Sequence, residues 1–378
     1  MELPRTILLI VIDSLRADRM SCYGYRLKTT PFLDSILDNF VKFEWAFSTC
    51  SYTVPSVVSI LTGKYPYQHS LGVYQTNSLI RKKLDTDKDI MIQEVAKAKG
   101  YKTYAIFSAA VLPPFLGISC GFDKTFYCEG YRRPYFETTQ IAKEIIEQSY
   151  SPTFIFLHYF DIHIPYEFGY KNLKFSPSLY PATYLRRGIS IPYSLIYTSM
   201  LGNTLMSNVY EASYDSSISI VDNELKKIVE YLDEKKLYDN SLIIITADHG
   251  ELMGEDGAFC WHGVNLHPVL LRVPLLIKMP VGYQVQKKLE VSPVSLISLF
   301  SIINGILSLD INQSLQLLDR DKNSFPLVAN HYFFNAHIDR EKNVLVYPSK
   351  FYKDIACLLP RMRNFLPPTQ YRYNQHKK

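Results

Sequence analysis

Residues 241–250 read SLIIITADHG, an apolar, β-branched run that ends abruptly in Asp248, His249 and Gly250. A strand with one solvated face would alternate apolar and polar residues. A near-continuous apolar run instead belongs to a strand covered on both faces, the situation in parallel sheets. Two more runs have the same texture, TILLIVID (6–13) and TFIFLHYFD (153–161), and KTYAIFSAA (102–110) is a fourth candidate. Helical patterns separate them, among them DIMIQEVAKAKG (89–100), closed by Gly100, and SISIVDNELKKIVEYLDEKKL (217–237). Strands alternating with helices predict an α/β fold, a mostly parallel central sheet sandwiched by helices. The first run ends in Asp13, the second in His158, Asp161 and His163, and the third in Asp248 and His249. Ligand crevices of open α/β sheets lie at the carboxyl ends of strands, so three strands deliver carboxylates and imidazoles to one edge.

The 378-residue chain, 47% hydrophobic and 20% charged, has the composition of a globular protein with room for a large core. Its net charge of +5 owes much to the basic end RMRNFLPPTQYRYNQHKK (361–378), which reads as a solvated tail. No nucleic-acid-binding motif accompanies it, so no nucleic-acid partner is expected. Cys22, Cys50, Cys120, Cys128, Cys260 and Cys357 lack metal or redox spacing and read as reduced thiols, with a Cys120–Cys128 bridge left open. The opening stretch MELPRTILLIVIDSLRADRM has no basic leader and no small-residue cleavage site, and reads as a buried strand, not a signal peptide. Residues 291–309, VSPVSLISLFSIINGILSL, carry no charge. Pro293 and the serines nevertheless favour an amphipathic helix on the core over a transmembrane segment. The expectation is a soluble, cytoplasmic protein with a core over 1–282 and a reduced C-terminal subdomain and tail over 283–378. The Tyr- and Pro-rich stretch 164–206 is expected to form a lid or insertion beside the crevice.

SYTVPSVVSILTG (51–63) places Thr53 at the start of a short apolar helix closed by Gly63. Thr53 is either an N-cap or a nucleophile displayed at a helix N-terminus. Asp13, Asp248 and His249 are oxygen and imidazole donors suited to a divalent cation, and the Thr53 hydroxyl completes a sensible set. Coordination lowers the pKa of an alcohol, and free N–H groups at a helix N-terminus favour an anion beside it. Lys64, His163 and His262 are candidate donors to an anionic ester and its leaving group. His69, in YPYQHSLG (65–72), is open between site and structure, and Asp215 and Asp222 read as helix-surface or supporting groups.

These residues make the chain recognisable. It resembles the sulfatase-like branch of the alkaline phosphatase superfamily. The resemblance rests on VIDSLRADRMSCYGY (11–25) with TTPFLDSIL (29–37), SYTVPSVVSILTGKYPYQHSLG (51–72) and LHYFDIHIPY (157–166). It continues through the stretch from Tyr214 to ADHGELMGEDG (247–257) and WHGVNLHPVLLRVPLLIKMP (261–280). It implies an alkaline phosphatase-like fold and a metal-dependent ester hydrolase or transferase. Asp13, Asp248 and His249 would hold the metal with Thr53 as nucleophile. His163 and His262 would fall where the family holds the anionic group, and Lys64 follows the family's TG turn.

Two departures qualify the resemblance. Sulfatases carry Cys or Ser followed by x-Pro-x-Arg, converted to formylglycine, whereas this chain has Thr53 and, in place of the arginine, Val57. Cys50 stands three residues early without the flanking pattern. Threonine cannot form the hydrated aldehyde, and a threonine nucleophile resembles the phosphotransfer members: lipoteichoic acid synthase, phosphoethanolamine transferases and nucleotide pyrophosphatases. Ser14 stands where many sulfatases carry another metal-binding aspartate, so one divalent ion is expected. Mn²⁺ is the first expectation, with Mg²⁺, Ca²⁺ or Zn²⁺ as alternatives, and a second ion recruiting Asp161, His163 and His262 remains open. The expected substrate is a small-molecule, glycan or lipid-headgroup phosphate, phosphonate or sulfate ester, phosphodiesters included. The alternatives are a sulfuric ester hydrolase without formylglycine and a catalytically silent anion- or glycan-binding member.

Overall fold

A computed structural model describes residues 2–69, 71, 84–179, 207–255, 259–263, 265–283, 293–310, 327–330, 334–338 and 344–348. Among them, a seven-stranded sheet has the spatial order Val41–Lys42, Leu275–Lys278, Ser241–Ala247, Thr6–Ile12, Thr153–Tyr159, Lys102–Ile106 and Lys124–Phe126. From Ser241–Ala247 through to Lys124–Phe126 neighbouring strands run parallel, while Leu275–Lys278 pairs antiparallel on both its sides. The strands Thr6–Ile12, Thr153–Tyr159 and Ser241–Ala247 are buried at every residue, which accounts for their lack of alternation. Fully burying each Ile, Leu or Phe in such a run is worth roughly 1.5–3 kcal/mol, so these three strands anchor the core.

Helices cover the sheet in two groups. Helix Ser207–Glu234 packs with Tyr135–Glu147, Pro31–Ile36 and Glu167–Lys171, while Thr53–Thr62, Ile92–Ala98 and Ser298–Leu307 pack with one another. The helix expected over 217–237 begins ten residues earlier, at Ser207. Its first turns carry Tyr210, Ser213, Tyr214, Ser216 and Ser217, all buried, so polar side chains hide the apolar period there. The helix expected over 89–100 starts at Ile92, because Glu94 accepts the Met91 N–H at 2.8 Å and caps the end. The uncharged stretch 291–309 holds helix Ser298–Leu307, whose Leu299, Ile302, Ile303 and Ile306 join the main core. The core therefore continues past residue 282. No described helix is long and apolar enough to cross a membrane. Cys22, Cys50, Cys120, Cys128 and Cys260 are free thiols, so the Cys120–Cys128 bridge does not form.

Of the stretch 164–206, residues 164–179 are described and contain the short helix Glu167–Lys171, while 180–206 lie outside the described residues. The basic tail and Cys357 also lie outside them. Within 283–378, Leu327–Asn330, Phe334–Ile338 and Val344–Pro348 form a separate antiparallel sheet.

The turn after Ser241–Ala247 is locked by Gly250. Its N–H donates to the Leu270 carbonyl at 2.8 Å, and a Cβ there would lie 2.0 Å from the Val269 carbonyl oxygen. Only glycine permits that approach. Gly250→Ala is expected to lower the free energy of unfolding by about 1–3 kcal/mol, with the midpoint of urea denaturation as the readout.

Candidate active site

Parallel register brings the site together. Ile12 pairs with Tyr159 on one side and with Ala247 on the other, so Asp13 and Asp248 emerge at one level, one residue beyond those pairs. Ser14 then adopts a left-handed backbone (φ 60°), which turns its N–H onto Asp248 Oδ1 at 3.1 Å. The Ser14 hydroxyl donates to Asp13 Oδ1 at 2.8 Å. The loop is held further by Tyr214, whose hydroxyl donates to the Ser14 carbonyl at 2.7 Å and accepts from the Arg16 N–H at 2.9 Å.

Thr53 is the first residue of helix Thr53–Thr62, and the N-cap is Tyr52 in extended backbone without a side-chain cap bond. The capping reading of Thr53 is therefore set aside. Its hydroxyl turns inward, donating to Asp13 Oδ2 at 3.1 Å and lying 3.2 Å from His249 Nε2. Gly63, at φ 66°, closes the helix as the sequence suggested. Below its first turn, Ser48 Oγ contacts the carbonyls of Cys50 and Asp248 and, at 3.0 Å, the Ser56 hydroxyl, tying the helix start to the Asp248 turn.

Three imidazoles stand in a row. His262 lies 4.5 Å from His249 and 4.8 Å from His163, ring centre to ring centre, and His163 stacks on Phe160 at 4.3 Å. His249 Nδ1 faces the Gly250 carbonyl at 2.8 Å, and His163 Nδ1 faces the Ile164 carbonyl at 2.7 Å. A carbonyl only accepts, so Nδ1 carries the hydrogen in both rings and each Nε2 presents a lone pair in the neutral form. His262 Nδ1 instead meets Glu251 Oε1 at 2.9 Å.

Asp13, His158 and Asp248 each offer a ligand atom within 4.8 Å of the others, and all three are buried. Both ring nitrogens of His158 and Oδ2 of Asp248 lack a hydrogen-bond partner. Buried polar atoms without partners are costly. One His158 nitrogen, Asp248 Oδ2 and an Asp13 oxygen gather at one point, with Thr53 Oγ1 and His249 Nε2 beside it, so the donor set fits a divalent cation. His158 is absent from the ligand set read from sequence. Its position near a strand end was the signal, masked by a location inside an otherwise apolar run.

Charge confirms the strain of bringing these groups together. Burial raises and His158 lowers the Asp13 carboxyl, which with His163 and His249 ends well below the usual carboxylate range. Burial and the Asp13 charge push Asp248 up to about 6. Burial brings His163 down to about 4. His262 is lowered by burial but raised further by Glu251, and ends above its ordinary value.

Other sequence candidates fall elsewhere. Lys64 Nζ pairs with Asp89 at 2.6 Å and donates to the Lys88 carbonyl at 3.0 Å, and no contact joins it to Thr53. The catalytic assignment of Lys64 is corrected accordingly: the helix that displays Thr53 at one end carries Lys64 just past the other. His69 Nδ1 accepts from the Leu71 N–H and Nε2 lies 3.1 Å from Ser59 Oγ, a structural tie. Asp161 Oδ1 accepts the Tyr135 N–H at 3.0 Å, serving the start of helix Tyr135–Glu147, and burial pushes its carboxyl up to about 7. Asp215 and Asp222 are buried and not on the surface: Asp215 accepts from Tyr25 at 2.7 Å, and Asp222 accepts the N–H groups of Phe32 and Leu33.

The family model described as Sulfatase matches residues 5–306. Iduronate 2-sulfatase of Mus musculus is 26% identical over 339 residues, which cover 72% of this chain and 59% of that protein. The chain thus spans about three fifths of that relative's length. The phosphonate monoester hydrolase of Agrobacterium radiobacter superposes with a TM-score of 0.63 at 16% identity, covering 96% of this chain and 93% of that one. The C-terminal periplasmic domain of EcEptC from Escherichia coli superposes with a TM-score of 0.61 at 19% identity, covering 81% and 83%. At these identities the two structures attest the shared fold.

A proton on Asp248 competes with a cation. Without one, the raised Asp248 pKa gives stability that is complete below its ordinary value of 3.8 and lost as pH rises through about 6. A bound cation removes that loss. Added Mn²⁺ is therefore expected to raise the melting temperature more at pH 7.5 than at pH 5, with affinity falling up to about tenfold per pH unit below the Asp248 value. Thermal melts and titration calorimetry at the two pH values read this directly, and equal shifts would count against the site.

Proposed function

The chain belongs to the sulfatase family, and on that premise we propose that it cleaves or transfers a phosphate, phosphonate or sulfate ester with Thr53 as nucleophile, phosphorus esters being favoured. The observation that carries this reading is the Thr53 hydroxyl itself, first in its helix, facing Asp13 at 3.1 Å and His249 at 3.2 Å. Asp13, Asp248, His249 and Thr53 would hold the divalent cation, with His158 as a further donor. A mixed carboxylate, imidazole and hydroxyl set suits Mn²⁺, with Zn²⁺ as the alternative. When bound, the cation supplies Lewis acidity that lowers the pKa of the Thr53 hydroxyl and offsets charge on the ester.

The residues account for the remaining chemistry. Thr53 Oγ attacks phosphorus opposite the leaving oxygen, and its proton is released to solvent, to be recovered when the adduct is resolved. The bond from Thr53 to phosphorus forms as the bond to the leaving oxygen breaks. His262, raised by Glu251, carries the proton that the leaving oxygen takes up. His163, held neutral by burial in the free protein, takes up a proton when the ester's anionic oxygens bring their charge, and its Nε2–H then donates to them. Water or an acceptor alcohol then attacks the phosphorylated Thr53, losing its proton to His262, and Thr53 regains its hydroxyl. The free N–H groups of the helix start lie beside the anion throughout. Phosphorus is favoured over sulfur because a threonine ester of phosphate can be resolved by attack of an acceptor. Threonine also lacks the self-cleaving route of a formylglycine.

A sulfate ester is the second reading, favoured by the likeness to iduronate 2-sulfatase. Assays of aryl phosphomonoesters, phosphodiesters, phosphonates and sulfates with several metals separate the two. Thr53→Ala is expected to abolish turnover, a loss of at least about 10³-fold, with the melting temperature retained. Thr53→Ser is expected to keep measurable activity. Mass spectrometry of acid-quenched protein should find the adduct on Thr53, and turnover retained in the alanine variant sinks the nucleophile.

A further inference from the structure

We infer that Glu251 is a positioning residue, whose carboxylate fixes the orientation and the Nδ1–H tautomer of His262 and so leaves Nε2 as the ring atom that meets the ester. Glu251 is fully buried, and each carboxylate oxygen has one donor. Oε1 takes His262 Nδ1 at 2.9 Å and Oε2 takes the Tyr166 hydroxyl at 3.2 Å. A buried carboxylate is stable only when paired and hydrogen-bonded. Among the described residues, the ion-pair partner of Glu251 is His262. The Arg16 guanidinium reaches the backbone carbonyl of Glu251 at 3.0 Å and gives its charge to Asp18 and Glu255.

The backbone of Glu251 is fixed as firmly as its side chain. It follows Gly250, locked against Leu270, and its carbonyl is held by Arg16. Tyr166 packs edge-on against Tyr214 at 5.5 Å, and Tyr214 bonds the backbone of Ser14 and Arg16. A continuous buried path therefore runs from the Asp13 loop through Tyr214, Tyr166 and Glu251 to His262. His262 has no such constraint from His163 or His249, which touch it only ring to ring. Without Glu251 the imidazole can exchange tautomers or rotate, and Nε2 loses its aim.

The inference rests on the reading of His262 as the group that meets the leaving oxygen, so its test has one arm independent of turnover. Long-range ¹⁵N–¹H spectra of the full chain, with the His262 signals identified by their loss in His262→Gln, should show Nδ1 protonated in the wild type and a changed pattern in Glu251→Gln. The kinetic arm compares an alkyl ester with a 4-nitrophenyl ester, whose leaving group needs no proton. Glu251→Gln is expected to lower kcat for the alkyl ester by about 10²-fold and for the nitrophenyl ester by less than about threefold, with KM little changed. The double variant with His262→Ala should lose no more than His262→Ala alone, the signature of one residue acting through another. A neutral Nε2–H tautomer in the wild type, an equal loss for both esters, or additive losses would overturn the inference. If Glu251→Gln fails to fold, the wild-type tautomer decides. Absence of turnover in the wild type would count against the proposed activity and leave the tautomer result standing.

Discussion

Two buried carboxylates facing one point are the constraint on which the site depends. Asp13 and Asp248 are both fully buried, with ligand atoms within 4.8 Å. At such a separation two like charges repel by about 3 kcal/mol even at an effective dielectric near 20. The chain by itself relieves this by leaving Asp13 charged beside imidazoles and raising Asp248. A divalent cation would relieve it better, because it would also engage one His158 nitrogen and Asp248 Oδ2.

Hydrogen bonds to the backbone hold the segments around that pair together. Ser14 reaches Asp248, Tyr214 clasps the Ser14 loop, and Ser48 ties the Thr53 helix start to the Asp248 turn. Each of these bonds crosses between segments far apart in the chain, so site geometry and global folding are coupled. Gly250 is where that coupling is tightest, since its lack of a Cβ lets the Asp248 turn sit against the carbonyl of Val269. Preorganisation of this kind means little of the geometry has to be built when a substrate arrives.

The architecture was legible because it rests on periodicity and on strand ends. Three apolar runs without alternation imply strands covered on both faces, and such strands are parallel and carry their ligands at the carboxyl edge. Asp13, Asp248 and His249 stood out for the same reason, and Thr53 because it opens a short apolar helix. Other residues misled for identifiable physical reasons. Lys64 follows the Thr53 helix in sequence, yet helix length carries it away toward Asp89. Asp215 and Asp222 sit in a helix that looks amphipathic, yet they point inward to receive Tyr25 and the start of another helix. His158 hides within a strand run, where a histidine reads as core until its Nε2 is seen 3.6 Å from Asp13 Oδ2.

The sequence alone determined the fold class, the edge of the sheet at which carboxylates and imidazoles gather, and the threonine at position 53. Those are properties of local pattern and residue type, which composition and spacing encode directly. Only the tertiary structure decided that Thr53 starts its helix without capping it, that its hydroxyl meets both Asp13 and His249, and that Glu251 stands behind His262. These depend on contacts between residues up to 196 positions apart, such as Thr53 and His249, and only the register of the folded sheet brings them within hydrogen-bonding distance.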